Sequence, residues 1–217
     1  MQKNQKKLDS DLAFKFREQI YSSVIPLLAD GIASQLKLRN PTKKELEETY
    51  QISMRVLFRL LFIAYAEEKD LLPHKSNKLY QENSLKTIAE NLLDLWNSKH
   101  EFGPEFSWWD KFQSILRAFK DGNTDWDIPA YSGGLFSIDQ SDSKILTTLE
   151  EIKLPDYYFG PILQNLLLVK NSEIGKSLVD FSKLDFEEFG TIYQGLLESE
   201  LSVAETDLLQ EKKGKYN

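Results

Sequence analysis

Two arginines four residues apart, Arg55 and Arg59, stand inside the most apolar run of this chain. On a helix that spacing puts both guanidiniums on one face, in a row that Phe62 and Ala66 continue. An unpaired charge is too costly to bury. Each arginine therefore needs either a carboxylate, with Glu198 and Glu200 as candidates, or a surface route to a DNA phosphate or a neighbouring domain. Lys43-Lys44 at a predicted helix start, and Lys212-Lys213 with Lys215 in the C-terminal tail, are the simplest candidate phosphate contacts; the ordinary role of such lysines is a solvated face. The turn Tyr131-Ser132-Gly133-Gly134 has two glycines that permit positive φ and close backbone approach. It suits a tight turn that delivers Leu135 and Phe136 to the core, or an amide nest for phosphate. Trp108-Trp109 and Trp126 offer flat surfaces for stacking on bases, the competing role being core packing.

The chemistry missing from the sequence narrows the field further. It has no Gly-rich phosphate loop, no G-x-S-x-G and no H-E-x-x-H. Zero cysteines exclude disulfides and thiolate metal sites and fit a reducing cytoplasm, and His74 and His100 are too isolated for a histidine-rich metal site. Adjacent acids such as Glu187-Glu188 point apart on a helix and make no acid/base pair. No catalytic, cofactor-binding or metal-binding residue is assigned on these grounds. The net charge of −7 argues against binding nucleic acid by bulk charge, so any such contact needs a local cationic face.

The elements that must position these groups are helical. Ile52 to Leu72 contains no Pro or Gly, and its apolar side chains surround the predicted helix on nearly every side. Its apolar run, Ile52 to Ala66, is shorter than the ~20 residues a bilayer needs and carries Arg59 in its middle, so it is no membrane span. Thr42 with Glu45 reads as a capping box, so residues 43–70 are expected to form one long central post that ends near Leu72-Pro73. Glu67-Glu68-Lys69-Asp70 reads as its solvated end. Ahead of it, apolar spacing from Asp9 to Leu38 predicts helix, kinked or split at about Ile25 by Pro26 and weakened by Gly31.

Beyond the post, Ser84 is a predicted N-cap for a helix that carries Leu85, Ile88, Leu92, Leu95 and Trp96. Ser107 with Asp110 repeats the capping pattern before Phe112, Ile115, Leu116 and Phe119. Residues 121–141 read as an ordered Gly-rich loop, Lys144–Ile152 and Tyr158–Val169 as short helices, and Asp185 with Glu188 as the start of a last helix through Leu201. Val179 to Phe181 reads as briefly extended without a partner, and nothing alternates long enough to support a sheet. The expectation is an all-α, irregular multi-helix bundle. Residues 1–8 form a flexible N-terminus, 9–205 a single helical domain, and 206–217 a flexible tail.

The run FRLLFIAYAEEKDLLP, Phe58 to Pro73, resembles a segment of large adenine-specific DNA methyltransferases, including the type IIG restriction–modification enzymes. There it lies in a helical region before the methyltransferase core. AYSGGLF, Ala130 to Phe136, and FGTIYQGLLESEL, Phe189 to Leu201, are similar to the same region in the same order. The resemblance spans most of the chain from about Phe16. It implies a non-catalytic helical spacer of a parent enzyme that uses S-adenosylmethionine and acts on double-stranded DNA, with the tail leading toward a methyltransferase domain. The family's Asn-Pro-Pro-Tyr-type motif and cofactor loop do not occur in these 217 residues. Glu211-Lys212-Lys213 has the letters of a nuclease metal motif but lies in a polar tail with no strand. The alternative expectation is a stand-alone helical protein-interaction module.

Overall fold

The computed structural model describes residues 14–131, 143–171, 175–183 and Gly190. Within them the chain is predominantly helical, with one small hairpin. Helix α1 (residues 14–19) runs into a π-helical turn, Ile20–Val24, and then α2, Ile25–Gln35. Next come α3, Lys43–Glu68, α4, Lys78–Asn83, α5, Leu85–Asn97, and α6, Ser107–Asp121. Helices α7, Ser143–Glu151, and α8, Asp156–Leu167, precede strands β1, Leu168–Asn171, and β2, Gly175–Leu178. A 3₁₀ turn, Phe181–Lys183, ends this series.

Pro26 does not split the first helical stretch. Proline has no N–H to donate, and its ring crowds the carbonyl four residues back. The backbone answers by widening one turn: the Ile25 amide donates to Ile20 five residues earlier, and Val24 and Ile25 keep helical dihedrals. Such a π-bulge absorbs the proline without a break. Gly31, expected to be a weak point, is a close-packing position. A Cβ there would meet Leu154 and Tyr158 at 3.3 Å, so its absence lets α2 and α8 approach.

The post forms as expected over 26 residues of α3. Its capping box is complete: the Thr42 amide donates to Glu45 Oε2 at 2.7 Å, and the Glu45 amide donates to Thr42 Oγ1 at 3.3 Å. The helix stops before Leu72-Pro73 because a Schellman turn closes it first. The Leu71 amide donates to Ala66 at 2.9 Å and the Asp70 amide to Glu67 at 3.3 Å, with Asp70 at φ 56°. Leu57, Leu60, Leu61 and Ile63 are sealed from solvent between α2, α5 and α7. Leu46, in the first turn of this helix, is exposed.

Helix α8 is a second post that the sequence did not single out. It packs against α2, α5 and α6 and buries Phe159, Ile162, Leu163 and Leu166. The Trp109 and Phe159 rings meet edge to face at 4.9 Å, a geometry aromatic quadrupoles favour. Gly160 fits under the Phe102 ring, where a Cβ would lie 2.5 Å from a ring carbon. Gly160→Ala is therefore expected to cost about 1–3 kcal/mol by overpacking. Phe102→Leu in the same chain should recover part of that loss in chemical denaturation. An undiminished cost in the double variant would place the strain elsewhere.

The chain after α8 departs from expectation. Helix ends at Leu167, and Leu168 turns extended at φ −119°, ψ 140°. Strand β1 then pairs antiparallel with β2, Leu168 opposite Leu178 and Asn171 opposite Gly175. Gly175, at φ 88°, supplies a backbone state that a side chain would resist. Four residues per strand leave too little alternation to be read as sheet. Val179, expected to lack a partner, donates its amide to Leu167 at 2.9 Å.

Candidate functional site

Lys43 and Lys44 are the first two residues of α3, and both are exposed. Exposed Lys37 and Arg39 lie in the turn just before them, so four cations gather near the positive end of the longest helix. The capping box spends two of the local backbone donors on itself and places the Glu45 carboxylate beside the lysines. Side-chain charge is thus the main cationic feature of this corner, with Glu45 set against it.

Arg55 and Arg59 share a face of α3, as expected, and both are half-buried and engaged. Helix α7 packs on α3. Burial first, and the Arg55 charge second, bring the Arg59 guanidinium down to about 10, while Glu150 of α7 opposes the shift. Glu150 also accepts from Lys120 of α6 at 2.9 Å. A polar seam thus joins α3, α6 and α7 around one carboxylate. The alternative partners, Glu198 and Glu200, lie outside the described residues, as do Lys212, Lys213, Gly133 and Gly134. Tyr131 is described: it is half-buried, its ring 5.1 Å from that of Phe119. Trp109 is core and Trp126 packs on Tyr80 at 5.9 Å. Trp108 is half-buried, with the Lys111 ammonium 5.3 Å from its ring centre.

The end of the post read as solvated holds a buried acid, which corrects the reading of Glu67 as surface. Glu67 is only 3% exposed. Its Oε1 accepts from the Tyr80 hydroxyl at 2.6 Å and the Leu85 amide at 2.8 Å, and its Oε2 accepts from the Lys86 amide at 2.8 Å. One side chain on α3 thereby caps α5 from outside and pins α4, while Ser84 caps α5 locally through the Thr87 amide at 3.1 Å. Burial raises the Glu67 pKa, and the three donated hydrogen bonds resist that rise. Burial and the Glu67 charge push the Tyr80 phenol well above its ordinary range.

Asp156, 6% exposed at the start of α8, repeats the device. It accepts from the Ser107 amide at 3.2 Å and the Trp108 amide at 3.0 Å. Here too the sequence misled: Ser107 is the first residue of α6 rather than its cap, and Phe106 at the cap position makes no side-chain bond. Local capping motifs are visible in sequence. A carboxylate arriving from another helix is not.

Beside Glu67 a cleft of about 420 Å³ opens between α3, α5 and β2. Ala64, Leu85, Ala89, Val179 and Phe181 form much of its lining, and the Glu68–Lys86 ion pair, at 3.2 Å, borders it. The Glu67 carboxylate is committed to three donors, so the cleft presents an apolar wall and a neutralised rim rather than a poised acid or base. Among the described residues no group of three His, Asp or Glu side chains is placed to hold a metal ion, and no helix is long and apolar enough to cross a membrane. Comparison with protein-family models, curated proteins and solved structures gave no match, so the case for function rests on these residues.

Proposed function

We propose that this chain is a non-catalytic helical connector of a DNA adenine methyltransferase or type IIG restriction–modification enzyme, coupling neighbouring domains and touching DNA backbone. The observation that carries the reading is where FRLLFIAYAEEKDLLP lies. The run that most resembles the family's spacer is the C-terminal half of the buried post. Its polar residues are engaged in tying elements together: Arg59 faces α7, and Glu67 holds α4 and α5. That is the work of a scaffold. In this reading S-adenosylmethionine and base specificity belong to the adjoining methyltransferase domain of the parent enzyme, and Lys43 and Lys44 are phosphate contacts. The cleft beside Glu67 favours the second reading, a helical protein-interaction module.

Salt-titrated binding to a random duplex tests the DNA contact. A chain of net charge −7 is expected to bind only in the non-specific range, on the order of 10⁻⁴–10⁻⁶ M at physiological salt, and to weaken steeply as salt rises. Lys43→Glu with Lys44→Glu should weaken it further. Tight, salt-insensitive, sequence-dependent binding would instead place recognition in this chain. Uptake of S-adenosylmethionine by the isolated chain in calorimetry would overturn its non-catalytic assignment.

A further inference from the structure

The hairpin sets Lys170 directly opposite Lys176. Antiparallel partners have Cα atoms roughly 4.5–5.5 Å apart and send their side chains to the same face. Like charges in that position destabilise a hairpin, and a neighbouring carboxylate ordinarily relieves them. Among the described residues neither lysine has one, and neither makes a side-chain hydrogen bond or ion pair. Lys176 instead lays its ammonium 3.8 Å from the centre of the Trp96 ring, in the last turn of α5.

The burial pattern is as unusual as the charge pattern. Lys176 is 7% exposed, whereas Trp96 is 43% exposed and Lys170 lies at the surface. No buried side-chain nitrogen or oxygen lacks a partner among the described residues, so the Lys176 ammonium, which has none, still reaches solvent. Its stem is packed, and its charged tip keeps an edge on solvent. Burial first, and then the Lys170 charge, push the Lys176 pKa below the ordinary lysine value.

We infer that Lys170, Lys176 and Trp96 form a site for a phosphate group carried on a nucleic-acid backbone, the oxyanion bridging the two ammonium groups. The inference rests on the DNA-contacting function proposed above and gives it a second location. A phosphate oxyanion supplies a counter-charge that no other described residue gives the pair, through charge-assisted hydrogen bonds that are stronger than neutral ones. The indole holds one ammonium by cation–π attraction before the ligand arrives, which lowers the entropy lost on binding. The exposed part of Trp96 beside the Lys176 ammonium also matches the pairing of aromatic surface and positive charge that nucleic-acid grooves use. The α3 corner has lysines as well, but there Glu45 competes with an incoming anion.

The test measures binding of a labelled duplex and of a single strand of equal length against salt, alongside NMR of the lysine side chains during titration with inorganic phosphate. Lys170→Gln and Lys176→Gln are each expected to make the log–log salt slope shallower by about one. Phosphate should shift the Lys170 and Lys176 signals in the wild type. Lys170 is exposed, so its variant retains the fold and stands as the check if Lys176→Gln unfolds. Phosphate shifts with unchanged DNA slopes in both variants would overturn nucleic acid as the carrier. Slopes that respond only to Lys43→Glu and Lys44→Glu would keep the DNA-contacting function and overturn this site. A wild-type chain that binds neither duplex nor single strand would overturn both.

Discussion

Leu60→Ala and Leu61→Ala are each expected to lower the free energy of unfolding by ~2–5 kcal/mol. Leu60 is fully buried and Leu61 is 1% exposed. Both lie in the C-terminal half of α3, the helix on which α2, α5 and α7 pack. Truncation there removes apolar contact and leaves a cavity that rigid neighbours cannot close, so the transfer and cavity terms add. Urea titration should show the midpoint falling with little change in slope, since the native and unfolded states keep their relative compactness. Leu71→Ala is the matched control. Leu71 is 65% exposed, so its loss should stay within about 0.5 kcal/mol. A cost under ~1 kcal/mol for both core variants would mean that α3 is a surface helix.

Loss of the Glu67 carboxylate should have a comparable effect by a different route. Glu67→Ala strands the Tyr80 hydroxyl and the Leu85 and Lys86 amides at once. Orphaned buried donors cost ~1–3 kcal/mol each, and a lost helix cap about 1 kcal/mol. Partial rehydration through the adjoining cleft reduces the sum, so a loss of ~3 kcal/mol is expected. Adding Tyr80→Phe removes one of the stranded groups and should restore part of it. A loss below ~1 kcal/mol would mean that water replaces the carboxylate without penalty.

The same residue sets a pH dependence of definite sign. Its pKa is raised by burial above the ordinary 4.5. Between 4.5 and the folded value the native state therefore holds more protons than the unfolded chain, and the stability that this group contributes falls as pH rises through that window. Glu67→Gln does not titrate and cancels background groups such as His74. The stability difference between wild type and Glu67→Gln should then be larger near pH 4.5 than at neutral pH. A difference that grows with pH would show that the three donors outweigh burial.

Much of the helical frame was legible because its determinants are local. Apolar side chains on nearly every face of residues 52–66 demanded a surrounded helix, and Thr42 with Glu45 marked its start. Ser84 marked α5 in the same way. Arg55 and Arg59 had to share a face whatever packed on them, since that follows from 3.6 residues per turn.

What only the tertiary structure decided lies between elements distant in sequence. Periodicity reports which face of a helix is apolar, not which helix will cover it, so α8 as a second post was invisible until Phe159 met Trp109 and Phe112. Nothing near Glu67 in the chain distinguishes it from Glu68. One is buried under α4 and α5 and the other borders the cleft beside Lys86, because Tyr80 and the start of α5 fold back onto one side of the post. Asp156 caps α6 from α8 for the same reason. Lys170 and Lys176 read as ordinary charges until strand register set them opposite each other and packing laid Lys176 over Trp96. Local propensity and spacing determine the elements of this protein. Desolvation, paid at the contacts between them, determines which of its charged groups become special.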